Sequence, residues 1–459
     1  MKNSNEKEMI LNENLWKVMF KLSWPAVIAM ILYGLNTVAD VIFVGRFVGE
    51  TALAGVSLAY PLTQITLGLG SLVGVGAGSA LSIAIGANDY DTQKKLLGNA
   101  NYLNILFALI FTLIGTVFAT GLVKMMGGSG EELIFGVNYF RVTVYGAFFW
   151  IAGLAGNMIV RAEGKMKSAA VMMGIGLIVN IIANYILIVI LDLGVEGAAI
   201  GTNIGMIVYT ITSLVYFSRK KASFEARPFS INRDKKIIKA IISMGIPSFI
   251  MTIMCLIQAI VVLNAITNFG TTSDIAFYGL TYRVFTFMLT PIFGLMRALQ
   301  PVIGINFGAT KYNRVIRSFK VFAIGGALIM LPLWLVMMLS PKMILNLMLP
   351  GNNFVFREIM NFRIYMALLP ILPIIFMAMT FFPAINKGKQ ASIMGIARQL
   401  LFYVPVMMIM PRFFGIKWVY IGSFLIDLII TLWAAIIVGM EFKVLKGSNE
   451  KLNFDMGEN

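Results

Sequence analysis

The sequence predicts an all-α polytopic membrane protein. It predicts twelve transmembrane helices in two six-helix lobes, related by a pseudo-two-fold axis along the membrane normal. Three observations predict this. The 459 residues are 59% hydrophobic and only 13% charged, with a mean hydropathy of +0.84. Stretch after stretch reaches the roughly 20 apolar residues that cross a bilayer as a helix. These runs are continuous, unlike the short alternating strands of a membrane barrel. The two halves of the chain also resemble each other.

The expected spans are 22–45, 52–86, 97–122, 138–160, 168–191, 198–217, 241–267, 274–307, 321–339, 361–382, 392–410 and 419–440. An even count puts both termini on one side. Basic residues concentrate on that side, in Lys2, Lys7, Lys17, Lys94, Lys95, Arg161, Lys165, the 218–239 loop, Lys311, Arg314, Arg317 and Lys320. By the positive-inside rule both termini are expected to be cytoplasmic, in a multi-pass plasma membrane protein. The net charge of +16 is then topology and contact with anionic lipid, not a nucleic-acid surface. No cleavable leader is expected, because the first twenty residues are polar and mixed in charge.

The expected domains are an N-lobe at 1–217, a basic cytoplasmic linker at 218–240, a C-lobe at 241–440 and a cytoplasmic tail at 441–459. The lobes align at an offset of 222. Pro25 falls on Pro247, Gly86 on Gly308, Tyr90 on Tyr312 and Arg141 on Arg363. This is a two-fold internal repeat. With six spans per half the repeats share one orientation, an arrangement found in secondary transporters with a central site.

Composition excludes several chemistries. The single Cys255 rules out an internal disulfide, and the lack of any histidine removes the commonest proton shuttle and metal ligand. No phosphate-binding loop of the ATPase type occurs, so no nucleotide-powered export is expected. No enzyme activity and no cofactor are expected. Proton or cation handling must fall to carboxylates.

The first span supplies one. In "YGLNTVADVIFVG", Tyr33, Asn36, Thr37 and Asp40 stand at i, i+3, i+4 and i+7, a single polar stripe on a helix. A carboxylate in hydrocarbon costs at least ~2.5–3.5 kcal/mol on insertion scales, so intramembrane acids are functional candidates. In span five Asn180 and Asn184 share a face, and Thr202 and Asn203 enter in span six. If these spans meet, Asp40 gains amide and hydroxyl neighbours. Such a site could take a proton on Asp40, or hold Na⁺ with Asp40, Asn180, Asn184 and Thr202, because hard cations favour oxygen.

Other polar residues in the spans are Gln258, Arg283, Arg297, Gln300, Arg398 and Asp427. For Asp427 an ion pair with an arginine is expected, because buried charges pair. Pro25 and Pro247 sit where they can kink their helices. The 31 methionines suit a repackable apolar chamber.

The order and spacing of "WPAVIAMILYGLNTVADVIFVG", "GVGAGSALSIAIGANDYD", "RAEGKMKSA", "NIIANYILI" and "GVEGAAIGT" resemble the multidrug and toxic compound extrusion (MATE) family. The likeness is strongest to its bacterial DinF-like and MepA-like branch and covers nearly the whole chain. It implies an antiporter that exports amphipathic, often cationic compounds by alternating access of the two lobes, coupled to H⁺ or Na⁺. Separately, a monomer is expected. The resemblance assigns coupling to Asp40, with Asn180 and Thr202 kept beside it, and bending to Pro25; the polar stripe and the amide pair add Asn36 and Asn184 to the expected cation site. Tyr33, Thr37, Tyr139, Gln258, Arg297, Gln300 and Asp427 become substrate or gating candidates. One departure is notable: the family usually carries an aspartate where this chain has Asn184. The rival expectation is a lipid or lipid-linked oligosaccharide flippase of related fold, which would show a more cationic cavity.

Overall fold

The computed structural model describes residues 4–348 and 354–457, and every regular element among them is helical. A short α1 (Ser4–Asn12) precedes the N-lobe. That lobe contains α2 (Leu15–Phe47), α3 (Glu50–Ala87), α4 (Tyr90–Met125), α5 (Gly130–Tyr145), α6 (Ala147–Ala162), α7 (Met166–Asn184) and α8 (Gly194–Ser218). The C-lobe contains α9 (Lys235–Phe269), α10 (Thr272–Gly308), α11 (Tyr312–Leu339), α12 (Pro341–Met348), α13 (Phe356–Met366), α14 (Pro373–Ala384), α15 (Gly388–Ile396), α16 (Val404–Phe414) and α17 (Lys417–Gly457).

Among the described residues ten helical segments are long and apolar enough to cross a membrane. The α5–α6 pair makes an eleventh crossing, and α13 with α14 occupies the expected span at 361–382. The architecture is the expected one of twelve crossings in two lobes. Boundaries differ in places. α17 runs on through most of the residues read as a tail, and α9 starts inside the residues read as a linker. Span five ends in a π-helical turn, Tyr185–Ile190, and span eleven carries one at Ala397–Tyr403.

The fourth expected span is broken, with α5 and α6 meeting at 56°. The cause comes from another helix. Asn203 of α8 donates from Nδ2 to the Val142 carbonyl at 2.7 Å, and its Oδ1 accepts from Trp150 Nε1 at 2.9 Å. Val142 would otherwise serve the Gly146 amide, which bonds Thr143 instead. A side chain inserted into the i→i−4 ladder is a recognised source of kinks.

The lobes meet along α3, which packs against α9, where a Cβ on Gly76 would lie 1.9 Å from the Ile241 carbonyl oxygen and one on Gly245 1.9 Å from that of Leu72, and against α10 on the side that carries the α1 end of the chain. A Cβ on Gly86 would lie 2.2 Å from the Ile305 carbonyl oxygen, and one on Gly308 would lie 2.0 Å from that of Ile83. The two repeat-equivalent glycines thus let two backbones touch. Near the crossing, Gln300 of α10 donates to the Val75 carbonyl and to Ser79 Oγ of α3, each at 3.1 Å.

Two straps cross the same end. α1 buries Ile10 fully, and its last carbonyls are taken from the C-lobe: Arg314 Nε reaches Ile10 at 2.9 Å and Lys311 Nζ reaches Leu11 at 3.2 Å. Lys7 of α1 reaches Asn88 of the N-lobe at 2.6 Å. The 219–234 connection is tied to α4, where Asn101 donates to the Pro228 and Ser230 carbonyls at 2.8 and 3.0 Å. Arg233 also stacks on the Tyr102 ring at 4.7 Å.

Candidate functional site: a carboxylate among amide oxygens

α2, α7 and α8 pack together within the N-lobe, so the three polar faces read from the sequence converge. Asn184 Nδ2 donates to Asp40 Oδ1 at 2.7 Å, and Asn36 Nδ2 lies 3.4 Å from Asp40 Oδ2. On the adjacent turn Asn180 Nδ2 lies 3.4 Å from Thr202 Oγ1, and that hydroxyl donates to the Ala198 carbonyl at 2.9 Å. The three amide side chains are 8% exposed or less, while Asp40 is half-buried.

The oxygens of this cluster are the informative atoms. Asn36, Asn180 and Asn184 each keep a buried side-chain Oδ1 with no hydrogen-bond partner. Buried polar atoms are normally satisfied, and an exception calls for an explanation such as an ion. Beside a carboxylate, three free amide oxygens form a set of hard-cation donors. The donor set fits H⁺ on Asp40 or Na⁺ among the oxygens. No His/Cys/Asp/Glu cluster suited to a transition metal occurs among the described residues.

Local sequence makes the convergence possible. Gly201 of α8 faces Asn184, and a Cβ there would lie 2.1 Å from Asn184 Oδ1. The π-helical turn starts at Tyr185, directly after Asn184. Such turns interrupt helices, frequently at functional sites.

The other expected residues distribute as follows. Tyr33 and Thr37 lie on the Asp40 face of α2, and Thr37 Oγ1 bonds the Tyr33 carbonyl at 3.2 Å. Tyr139 and Tyr60 lie within electrostatic reach of Asp40. Pro25 is buried in α2, fifteen residues before Asp40. Asn203 does not join the cluster, since it turns to the α5–α6 break. Gln300 stands in the joint between the lobes. Gln258 pairs in the C-lobe, where its Oε1 accepts from Gln399 at 2.7 Å. Asp427 meets Arg398 at 2.8 Å, the ion pair expected for a buried acid, and Arg398 also lies over the Tyr403 ring at 5.1 Å.

Two arginines form a second polar feature. Arg161 is 4% exposed, its Nη1 has no partner, and its Nη2 reaches only Met173 Sδ at 3.7 Å. Arg297 has no hydrogen bond or ion pair among the described residues, and lies within electrostatic reach of Arg161, Tyr33 and Tyr209. Arg297 stood out in the sequence as a charge in a span. Arg161 did not, because it lies one turn from a loop and counted with the topological charges.

Comparison with known proteins agrees with this architecture. The MatE family model matches residues 25–186 and 247–409, once in each half, and together these segments are more than half of the chain. The chain is 27% identical over 423 residues to the multidrug export protein MepA of Staphylococcus aureus, covering 92% of this chain and 93% of that protein. It is 27% identical over 403 residues to MepA of Staphylococcus haemolyticus, covering 88% of each. A solved structure described as the outward-facing conformation of a multidrug resistance MATE family transporter superposes with a TM-score of 0.89. That match is 24% identical and covers 97% of this chain and 99% of the other.

Proposed function

The chain belongs to the MatE family, and from that premise we propose that it is a cation-coupled multidrug efflux antiporter of the plasma membrane, with both termini cytoplasmic. The observation that carries the proposal is the Asp40 carboxylate inside a span, bonded by the Asn184 and Asn36 amides, in a cluster where Asn36, Asn180 and Asn184 each keep a buried oxygen without a partner. The names of the MepA relatives support small-molecule export.

The mechanism follows from the charge. Empty, Asp40 is an intramembrane anion held by the Asn184 and Asn36 amides. Binding H⁺ or Na⁺ neutralises it. With Na⁺, rotation of the Asn184 amide would turn an oxygen toward the ion in place of the NH₂ now facing Asp40. Loss of the charge releases α2 from α7, and α2 repacks above Pro25. The chamber then favours release of an amphipathic, often cationic substrate. One charge moving down 100 mV contributes about 2.3 kcal/mol to drive the cycle. One chain holds both lobes and the whole site, so a monomer suffices.

The test is ethidium efflux from proteoliposomes under an imposed pH gradient or an imposed Na⁺ gradient. Wild type should respond to one of them, and Asp40→Asn to neither while remaining folded. Equal efflux by Asp40→Asn would overturn the mechanism.

A second reading, a flippase for acidic lipid-linked substrates, is favoured by one observation: Arg161 and Arg297 stand inside the protein with no carboxylate partner among the described residues. In the same proteoliposomes, gradient-independent movement of a labelled lipid phosphate, with no ethidium efflux, would support it.

A further inference from the structure

A cleft of about 730 Å³ opens between the start of α2 and the start of α11. Its lining includes Asn14, Trp16, Lys311, Arg314, Arg317 and Lys320, and no carboxylate. The four cations recur every third residue from the N-cap of α11, Lys311, through its first turns. Two are already engaged: Lys311 holds Leu11 and Asn12, and Arg314 holds the Ile10 and Glu13 carbonyls, so both fasten α1 to the C-lobe. The other two, Arg317 and Lys320, are exposed and have no hydrogen bond or ion pair among the described residues.

Position identifies what such a cleft meets. α11 is 28 residues long, and about 20 residues cross the hydrocarbon, so its first two turns or so project into the headgroup layer. α2, 33 residues long, overshoots in the same way. Trp16 is 43% exposed at the mouth, the residue type and level of an interfacial anchor. Trp16 and Met19 of α2 pack against Gly325 of α11. A basic pocket between membrane helices at headgroup depth has the chemistry of an anionic-lipid site.

We propose that this cleft binds the phosphate of an anionic phospholipid, held by Arg317 and Lys320, with an acyl chain lying along Trp16. The bound headgroup completes the cationic row whose other half holds α1. Anionic lipid therefore stabilises the strap that joins α1 to the C-lobe. This inference does not depend on what the protein transports.

The experiment compares wild type with the Arg317→Gln/Lys320→Gln double variant, in mixed micelles of phosphatidylglycerol or phosphatidylcholine at equal mole fraction. Both side chains are exposed and unpaired, so the variant is expected to fold; an unfolding midpoint in phosphatidylcholine matching wild type verifies this. Phosphatidylglycerol should raise the wild-type midpoint by about 2 °C or more. The double variant should lose most of that shift, and native mass spectrometry should show fewer retained phosphatidylglycerol molecules. Equal shifts and equal retention in the two proteins would overturn the proposal. So would a matching shift from soluble glycerol phosphate in phosphatidylcholine micelles, which would make the ligand a free anion. A single Arg317→Lys variant, which keeps the charge, should keep most of the shift; its loss there would also count against the site.

Discussion

Asn184 Nδ2 stands 2.7 Å from Asp40 Oδ1, although 144 positions of chain separate them. That contact joins the acid of the first span to the fifth span, and it is the bond most exposed to any change in charge on Asp40. Asn184→Leu removes both the donor and an oxygen. Gradient-driven efflux is expected to fall at least tenfold, a loss of about 1.4 kcal/mol or more in coupling. Ethidium binding without a gradient should change by less than that factor. Coupled efflux at the wild-type rate would separate Asn184 from the mechanism.

Asn184→Asp should act in the opposite sense. Two carboxylates at that separation cannot both stay ionised without a cation or a shared proton between them. The concentration of the coupling cation that gives half-maximal efflux is expected to fall. A titration of efflux rate against Na⁺ and against pH measures this directly, and no shift in either would contradict the assignment of the donor set.

Gly201→Ala should reproduce part of the Asn184→Leu defect without touching a polar group. The added methyl would meet Asn184 Oδ1 at 2.1 Å, so the amide or the α8 backbone must move. Overpacking of this kind costs typically 1–3 kcal/mol. A lower unfolding midpoint together with weakened coupling is the expected pair of readings.

Asn203→Ala tests the break in the fourth span. It would leave the Trp150 indole N–H and the Val142 carbonyl without their present partner. An unsatisfied buried polar group costs about 1–3 kcal/mol, so thermal stability should drop clearly. A variant as stable as wild type would show that the bend does not need this side chain.

Glu163 sets a pH dependence outside the spans. It lies in the turn between α6 and α7, 2% exposed, and accepts hydrogen bonds from the Ser223 amide and from Tyr216 Oη. Burial pushes its carboxyl up to about 7, against the pull of the Ser223 bond and of Lys165 nearby. The folded form therefore binds this proton more tightly than an unfolded chain, whose glutamate titrates near 4.5. Stability should rise as pH falls from above 7 toward 4.5, because only the folded state gains the proton in that window. Glu163→Gln should flatten this part of the profile in a thermal-unfolding series, and an unchanged profile would assign it elsewhere.

Much of this was legible from residue spacing alone. The Tyr33–Asn36–Thr37–Asp40 stripe and the Asn180–Asn184 pair were readable because polar side chains at helical intervals in an apolar run must share a face. The duplication was readable because Pro25 and Pro247, and Gly86 and Gly308, keep one offset. What stayed hidden depends on partners from distant segments. The break at Gly146 is made by Asn203, a residue on another helix that spacing had placed beside Thr202. Successive helical residues point about 100° apart, and only the packing of α8 against α5 and α6 decides which of the two faces Asp40. Gln300 looked like a chamber residue until α3 supplied Ser79. Arg161 looked like a topological charge until its burial was visible.

The crossing at Gly86 and Gly308 has a consequence for motion. Two backbones in contact leave no room to slide past each other, and with the Gly76 and Gly245 approaches further along α3 they form a short seam about which the lobes can rock. The lobes then behave as two levers on a shared seam in the half of the protein that carries α1. The far ends stand about 30 Å away across the hydrocarbon, so a turn of about 10° would displace them by about 5 Å. A shift small enough to preserve every helix would open or seal a passage at the opposite face. The leverage belongs to the place where side chains are missing, so the smallest residues in the chain would set the stroke of the largest movement.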